Sequence, residues 1–147
     1  MKIVLQRVSR ASVTVEGKIT GSIEAGYVVL LGIGAGDDKS KVEKAVDKIQ
    51  KLRIFADSEG KTNLPITAVQ GGLLVVSQFT LYADCRKGNR PSFTEAAPPA
   101  LAEELYEYFI EYAKLDGKFD KVECGVFGAD MQVELVNDGP FTVIIEV

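Results

Sequence analysis

Tyr27-Val28-Val29-Leu30-Leu31-Gly32-Ile33 is an apolar run without polar alternation, the pattern of a strand covered on both faces. Leu73-Leu74-Val75-Val76 repeats that pattern and delivers Ser77 to Tyr82 at its end. Around these two runs the shorter elements fall into place. Ile3-Val4-Leu5 and Ala11 to Val15, in which Val13 and Val15 alternate with Ser12 and Thr14, lead to the turn signal Glu16-Gly17, and Ile19 to Ile23 returns as a hairpin. Ser40 followed by Glu43 is a capping-box signature, and Val42, Ala45, Val46, Ile49 and Leu52 recur at helical spacing, which predicts a helix from about Ser40 to Phe55. A second helix starts at Pro98-Pro99, where a missing N–H costs nothing, carries the stripe Leu101, Leu105, Tyr108, Phe109 and Tyr112, and ends at Gly117. Val122 to Phe127 and Met131 to Val136 read as strands, and Asn137 to Pro140 reads as a turn into Phe141 to Val147. Strands outnumber helices, short turns favour antiparallel neighbours, and each amphipathic helix needs a sheet face to cover. The expected class is α+β: a single compact domain over residues 1–147, with antiparallel β-sheets and two main flanking helices.

Composition narrows the chemistry. The chain has 147 residues and 46% hydrophobic content, enough for one sizeable core. Its apolar runs are far shorter than the roughly 18 residues of a membrane span, and Met1 is followed at once by strand-like residues, so the pattern reads as a soluble, cytoplasmic protein with no membrane partner. Cys85 and Cys124 share no metal or redox spacing, and no EF-hand run is present, so neither metal nor cofactor is expected. Histidine is absent altogether. That excludes a Ser-His-Asp triad, a Cys-His pair and a histidine general base. The net charge of −4 argues against broad adhesion to nucleic acid, and no DNA partner is expected. A protein gripping only the end of an RNA needs few phosphate contacts, and Arg86-Lys87-Gly88-Asn89-Arg90 can supply them or be an ordinary solvated loop.

Among residues able to carry chemistry, Ser77-Gln78-Phe79-Thr80-Leu81-Tyr82 leaves a buried strand with hydroxyls, an amide and an aromatic face. Such groups line clefts, and they also tie down strand ends. Thr80 or Ser77 as a nucleophile needs a base, and without histidine the candidates are Lys87, Asp84, Glu95 or a group on the substrate. Gly139-Pro140 interrupts a strand-forming C-terminus; its bond can be cis, and from sequence alone a tight trans turn is expected. Gly32-Ile33-Gly34-Ala35-Gly36 matches neither a dinucleotide fingerprint nor a P-loop and reads as a turn.

At these residues the chain resembles the D-aminoacyl-tRNA deacylase (DTD) family. Met1-Lys2-Ile3-Val4-Leu5-Gln6-Arg7-Val8, Ser77 to Tyr82, Gly88-Asn89-Arg90-Pro91-Ser92-Phe93 and Asn137-Asp138-Gly139-Pro140-Phe141-Thr142 carry the resemblance in the family's order. It implies a barrel-like fold and a homodimer with active sites at the subunit interface. It implies hydrolysis of the ester of D-aminoacyl-tRNA, and of mischarged glycyl-tRNA, with L-aminoacyl groups rejected by the main chain of a cis Gly139-Pro140 reaching into the partner's site. Ser77, Gln78, Phe79 and Thr80 resemble the residues that hold the terminal adenosine and the ester. Arg7 is similar to the arginine that orients the dipeptide, and Phe127 and Met131 lie where the family surrounds the adenine. The ribose 2′-hydroxyl would then assist water, with amides near Phe79 and Thr80 polarising the carbonyl. A hydrolase of another small ester using Thr80 or Ser77, and a non-catalytic dimeric binding module, are the alternative readings.

Overall fold

The computed structural model describes residues 1–147. Its organising element is β1 (Lys2–Val15), one continuous strand where the sequence suggested two. The long strand survives the polar stretch at Arg7 to Arg10 because it is paired along its whole length. β2 (Lys18–Ile23) runs antiparallel beside its second half, β3 (Gly26–Gly32) beside its first half, and the last strand, β8 (Gln132–Glu146), along its other edge. The hairpin at Glu16-Gly17 forms as expected: φ is +50° at Glu16 and +76° at Gly17, the left-handed pair that matches the twist of the flanking strands.

From β3 the chain crosses over through α1 (Lys39–Lys51) and a small antiparallel pair, β4 (Arg53–Ala56) with β5 (Thr62–Pro65), before β6 (Gly72–Ser77) returns parallel to β3. β7 (Val122–Cys124) then joins β6, again in parallel, after the second helix, α2 (Pro99–Leu115). The α+β class therefore holds, but the sheet is mixed. The antiparallel pairs belong to β1, while the two strands reached by long crossovers are parallel.

Side chains alternate between two cores. One face of β1, β3 and β6, with Ile3, Leu5, Tyr27, Val29, Leu73 and Val75, packs under Val42, Val46 and Ile49 of α1 and Leu105 and Phe109 of α2. The other face, with Val8, Val13, Ile23, Val28, Leu74 and Val76, fills the inside of the curled sheet. β3 and β6 are thus covered on both sides, as their unbroken apolar runs require. The curl nearly closes: a Cβ on Gly21 of β2 would sit 2.8 Å from the carbonyl oxygen of Cys124 on β7, so only glycine allows these backbones to meet.

Helix boundaries differ from expectation in instructive ways. α1 is capped by Asp38, whose side chain accepts from the Lys41 N–H at 2.9 Å, not by Ser40, and the chain straightens at Leu52 into β4. Asp38 is as good an N-cap as serine, and two residues more of helix are gained. On α2 the buried face is Leu105, Tyr106, Phe109, Ile110 and Ala113. Tyr108 and Tyr112 turn to its flank, where the Tyr108 hydroxyl donates to Glu43 Oε1 at 2.7 Å. No helix is long and apolar enough to cross a membrane.

Candidate active site

A pocket of about 610 Å³ opens between the end of β6, the start of α2 and the segment before β8. It is lined by Leu31 and Ile33 at the end of β3, Val76 and Ser77 of β6 with Gln78 and Phe79 beyond them, Phe93, then Ala102 and Tyr106 of α2, and Phe127, Gly128, Met131 and Val133 before and at the start of β8. A mainly apolar cavity of this size, with few polar groups at its edge, suits a nucleoside-sized ligand. Parallel pairing of β6 with both β3 and β7 puts the exit of β6 at the mouth, so Ser77 and Gln78 leave the sheet facing the cavity.

Beyond Gln78 the chain tightens into a 3₁₀ turn, Phe79–Tyr82. The first donor that this turn pairs is the Leu81 N–H, which bonds the Gln78 carbonyl at 3.3 Å. The N–H groups of Phe79 and Thr80 precede it and lack a partner within the turn. Phe79 is 57% exposed, unusual for a phenylalanine, and meets Phe93 edge-on with centroids 5.0 Å apart. This makes an aromatic platform at the rim. Thr80 lies just outside the cavity, and its Oγ1 accepts a hydrogen bond from Gln78 Nε2. No lysine or carboxylate is hydrogen-bonded to the Thr80 or Ser77 hydroxyl, so the nucleophile–base pair that covalent catalysis needs is not assembled. No three His, Cys, Asp or Glu side chains converge as metal ligands.

Tyr106 was not singled out by the sequence. Its buried hydroxyl shares its one proton between the carbonyls of Val75 at 3.0 Å and Gly125 at 3.2 Å, tying α2 to β6 and to the chain after β7, and burial holds its pKa well above that of free tyrosine. Asp130, the single charged residue lining the cavity, was also missed. A tyrosine inside an amphipathic helix carries no signal of such a role, whereas Phe93 was visible in the Gly88 to Phe93 motif.

Gly139 and Pro140 do not reach this pocket. Asn137 to Pro140 is not a reversal of the chain but a bulge within β8: between the pairs Gln6↔Thr142 and Val8↔Asn137, β1 contributes only Arg7, while β8 contributes Asp138, Gly139, Pro140 and Phe141. Asn137 closes the neck, accepting from the Phe141 N–H at 2.6 Å and donating to Thr142 Oγ1 at 3.0 Å. Arg7 fills the bulge. Its Nε donates to the Asp138 carbonyl at 2.8 Å, another guanidinium N–H donates to the Ile54 carbonyl, and the group lies 4.9 Å from the Phe141 ring centre. The Gly139-Pro140 bond is cis, in place of the trans turn expected from the residues alone, and both residues are exposed. At roughly 3.3 Å per residue the paired run from Val133 to Asn137 covers about 13 Å before the bulge begins, and neither Gly139 nor Pro140 lines the cavity, so the bulge and the pocket are separate regions of the chain.

The fold and its cavity define an α+β protein with a pocket of nucleoside size at the exit of a parallel strand, in a chain that has no histidine to serve it. The family model described as D-Tyr-tRNA(Tyr) deacylase matches residues 4–146, and the chain belongs to that family of hydrolases. D-aminoacyl-tRNA deacylases of Thermosipho africanus and Koribacter versatilis are 53% and 56% identical to it over 146 residues, covering 99% of this chain and 97% of each relative. A solved structure of a c-Myc DNA unwinding element binding protein superposes with a TM-score of 0.94 at 43% identity, covering 100% of this chain and 99% of the other. A probable eukaryotic D-amino acid tRNA deacylase shares the fold at a TM-score of 0.85 and 17% identity, covering 99% of this chain and 98% of that one.

Proposed function

We propose that this chain, acting as a single domain over residues 1–147, hydrolyses the ester of D-aminoacyl-tRNA in the cytoplasm and spares the L-forms. The observation that carries the reading is the pairing of a nucleoside-sized pocket, edged by Ser77, Gln78 and Phe79, with an exposed, rigidly held Gly139-Pro140 that the same subunit cannot use. A homodimer resolves the mismatch: the bulge of one copy closes the pocket of the other. Val136 and Ile144, exposed at 39% and 72% on the edge strand β8, offer apolar surface for that contact.

In this arrangement Phe127 and Met131 flank the adenine and Phe79 stacks at the rim. The unpaired N–H groups of Phe79 and Thr80 polarise the ester carbonyl. Main-chain atoms of Gly139-Pro140 face the α-carbon, so an L side chain meets backbone while a D side chain points away. Glycine, with no side chain to exclude, is accepted in part. Because the Thr80 hydroxyl is bound to Gln78 and has no base, water assisted by the ribose 2′-hydroxyl is the favoured nucleophile.

Deacylation of D-Tyr-tRNA and L-Tyr-tRNA by the purified protein tests the reading, with release expected from the D-form alone; equal rates would sink it. A substrate ending in 2′-deoxyadenosine should be turned over far more slowly, and undiminished turnover would remove the RNA-assisted step.

A further inference from the structure

The loop between Asp84 and Ser92 is held more firmly than its exposure suggests. Its two ends exchange backbone hydrogen bonds, the Asp84 N–H to the Ser92 carbonyl at 2.7 Å and the Ser92 N–H to the Asp84 carbonyl at 3.0 Å. One residue later Phe93 meets Phe79 at the pocket rim. The loop is therefore rooted at the mouth of the pocket and projects outward from it.

Its three cations are not equivalent. Arg86 lies along Asp84 through Nε at 2.8 Å and Nη2 at 2.7 Å, and Asp84 also accepts the Arg86 N–H, so this arginine is neutralised and serves to fix the loop. Lys87 and Arg90 are exposed and make no ion pair. Elsewhere Arg7, Lys39, Lys41, Lys51, Lys61, Lys118 and Lys121 all lie against carboxylates. Other cations, Lys44 and Lys48 of α1 among them, also stand outside any ion pair; what sets Lys87 and Arg90 apart in a protein of net charge −4 is their place on a loop rooted at the mouth of the cavity.

We infer that Lys87 and Arg90 bind backbone phosphates of the RNA strand whose 3′ end occupies the pocket, placing the acceptor end before the ester is engaged. The inference rests on the proposed deacylase reading. With the terminal nucleoside in the cavity, the nearest anions outside the mouth are the phosphates of the preceding nucleotides. A guanidinium fork beside a lysine suits phosphate, and contacts of this kind position without reading sequence. Two such contacts are few enough to agree with the acidic whole.

The test compares wild type with the double variant Lys87→Ala/Arg90→Ala on D-Tyr-tRNA and on D-tyrosyl-adenosine, which retains the ester and the 2′-hydroxyl but lacks the RNA strand, at 50 to 200 mM KCl. Both side chains are exposed, so an unchanged melting temperature is expected. On D-Tyr-tRNA the variant should show a raised KM with kcat retained. Its log–log salt slope should be shallower by about 1.4, from roughly 0.7 per cation on single-stranded RNA, so the deficit in kcat/KM shrinks about sevenfold across that fourfold change in salt. On D-tyrosyl-adenosine the two proteins should agree. Lys44→Ala/Lys48→Ala, which removes two exposed charges from α1, should behave as wild type on both substrates. Equal KM and slope in the loop variant, an equal loss in the α1 variant, or an equal loss on both substrates would overturn the inference; the last two outcomes would indicate a general field effect or a role at the ester. Specific capture of an acidic protein by wild type but not by the loop variant, with RNA kinetics unaltered, would assign the loop to that partner instead. Failure of wild-type protein on D-Tyr-tRNA itself would overturn the deacylase reading on which the inference depends.

Discussion

Replacing Arg7 with lysine keeps the charge and removes the fork, and it should loosen the Gly139-Pro140 bulge without touching the pocket. Arg7 is 14% exposed and spans from the Ile54 carbonyl on β4 to the Asp138 carbonyl at the bulge, with the Phe141 ring beside it. An ammonium can satisfy one of these acceptors at a time and cannot keep the planar contact with Phe141. A charge-assisted hydrogen bond is worth about 1.5–3 kcal/mol, so losing one costs about 2 kcal/mol. For a chain of this size that lowers the melting temperature by roughly 4–8 °C. If the same energy holds the dipeptide against the substrate, the ratio of kcat/KM for D-Tyr-tRNA over L-Tyr-tRNA should fall by up to about 30-fold, mainly through gain of activity on the L-form. Thermal melts and paired deacylation assays read both numbers. A variant that melts lower yet discriminates as well as wild type would refute the selectivity argument, since Arg7 would then support the fold alone; one with neither change would refute the energetics as well.

Thr80→Val should retain activity within about tenfold, because the hydroxyl has no base beside it; a loss of several orders of magnitude in a folded protein would restore a covalent mechanism. Burial works to raise the Asp37 pKa, but hydrogen bonds from the Met1 α-amine at 2.8 Å, the Gly34 N–H at 2.7 Å and Lys41 Nζ at 3.0 Å outweigh it and hold the carboxyl below its ordinary range. The stability it contributes is therefore complete above the unfolded pKa of about 3.9 and is lost as pH falls through the lower folded value. Asp37→Asn should cost about 2–3 kcal/mol at pH 7, with the gap from wild type closing in strong acid; urea melts across pH check this, and a gap independent of pH would contradict it. Gly26→Ala should destabilise by 3 kcal/mol or more, since φ there is +157° and the new Cβ would lie 2.0 Å from the Gly72 carbonyl oxygen; a normal melting temperature would show that β3 and β6 do not meet as described.

How much of this was legible in the residues depends on the range of the forces involved. Local signals carried through: the Glu16-Gly17 hairpin, the unbroken apolar runs of β3 and β6, and the first turn of α2 at Pro99 all follow from backbone preference and hydrophobic period. The pocket was half visible. Ser77 to Phe79 stood out as polar and aromatic groups at a strand end, yet Tyr106 and Asp130 carry no local mark, because only the packing of α2 across β6 and β7 brings them to the same cavity.

The sequence by itself determines that no histidine is present, and so that no mechanism relying on a histidine base or triad operates here. Tertiary structure decided what Asn137 to Pro140 is. By residue preference it is a turn, as asparagine, aspartate, glycine and proline in succession would suggest. Pairing of β1 with β8 on both sides of it keeps the chain running in one direction, and the surplus residues are pushed outward as a bulge around Arg7. Register between strands more than a hundred residues apart is set by the alternation of buried side chains over the whole sheet, and no short stretch of sequence contains that information.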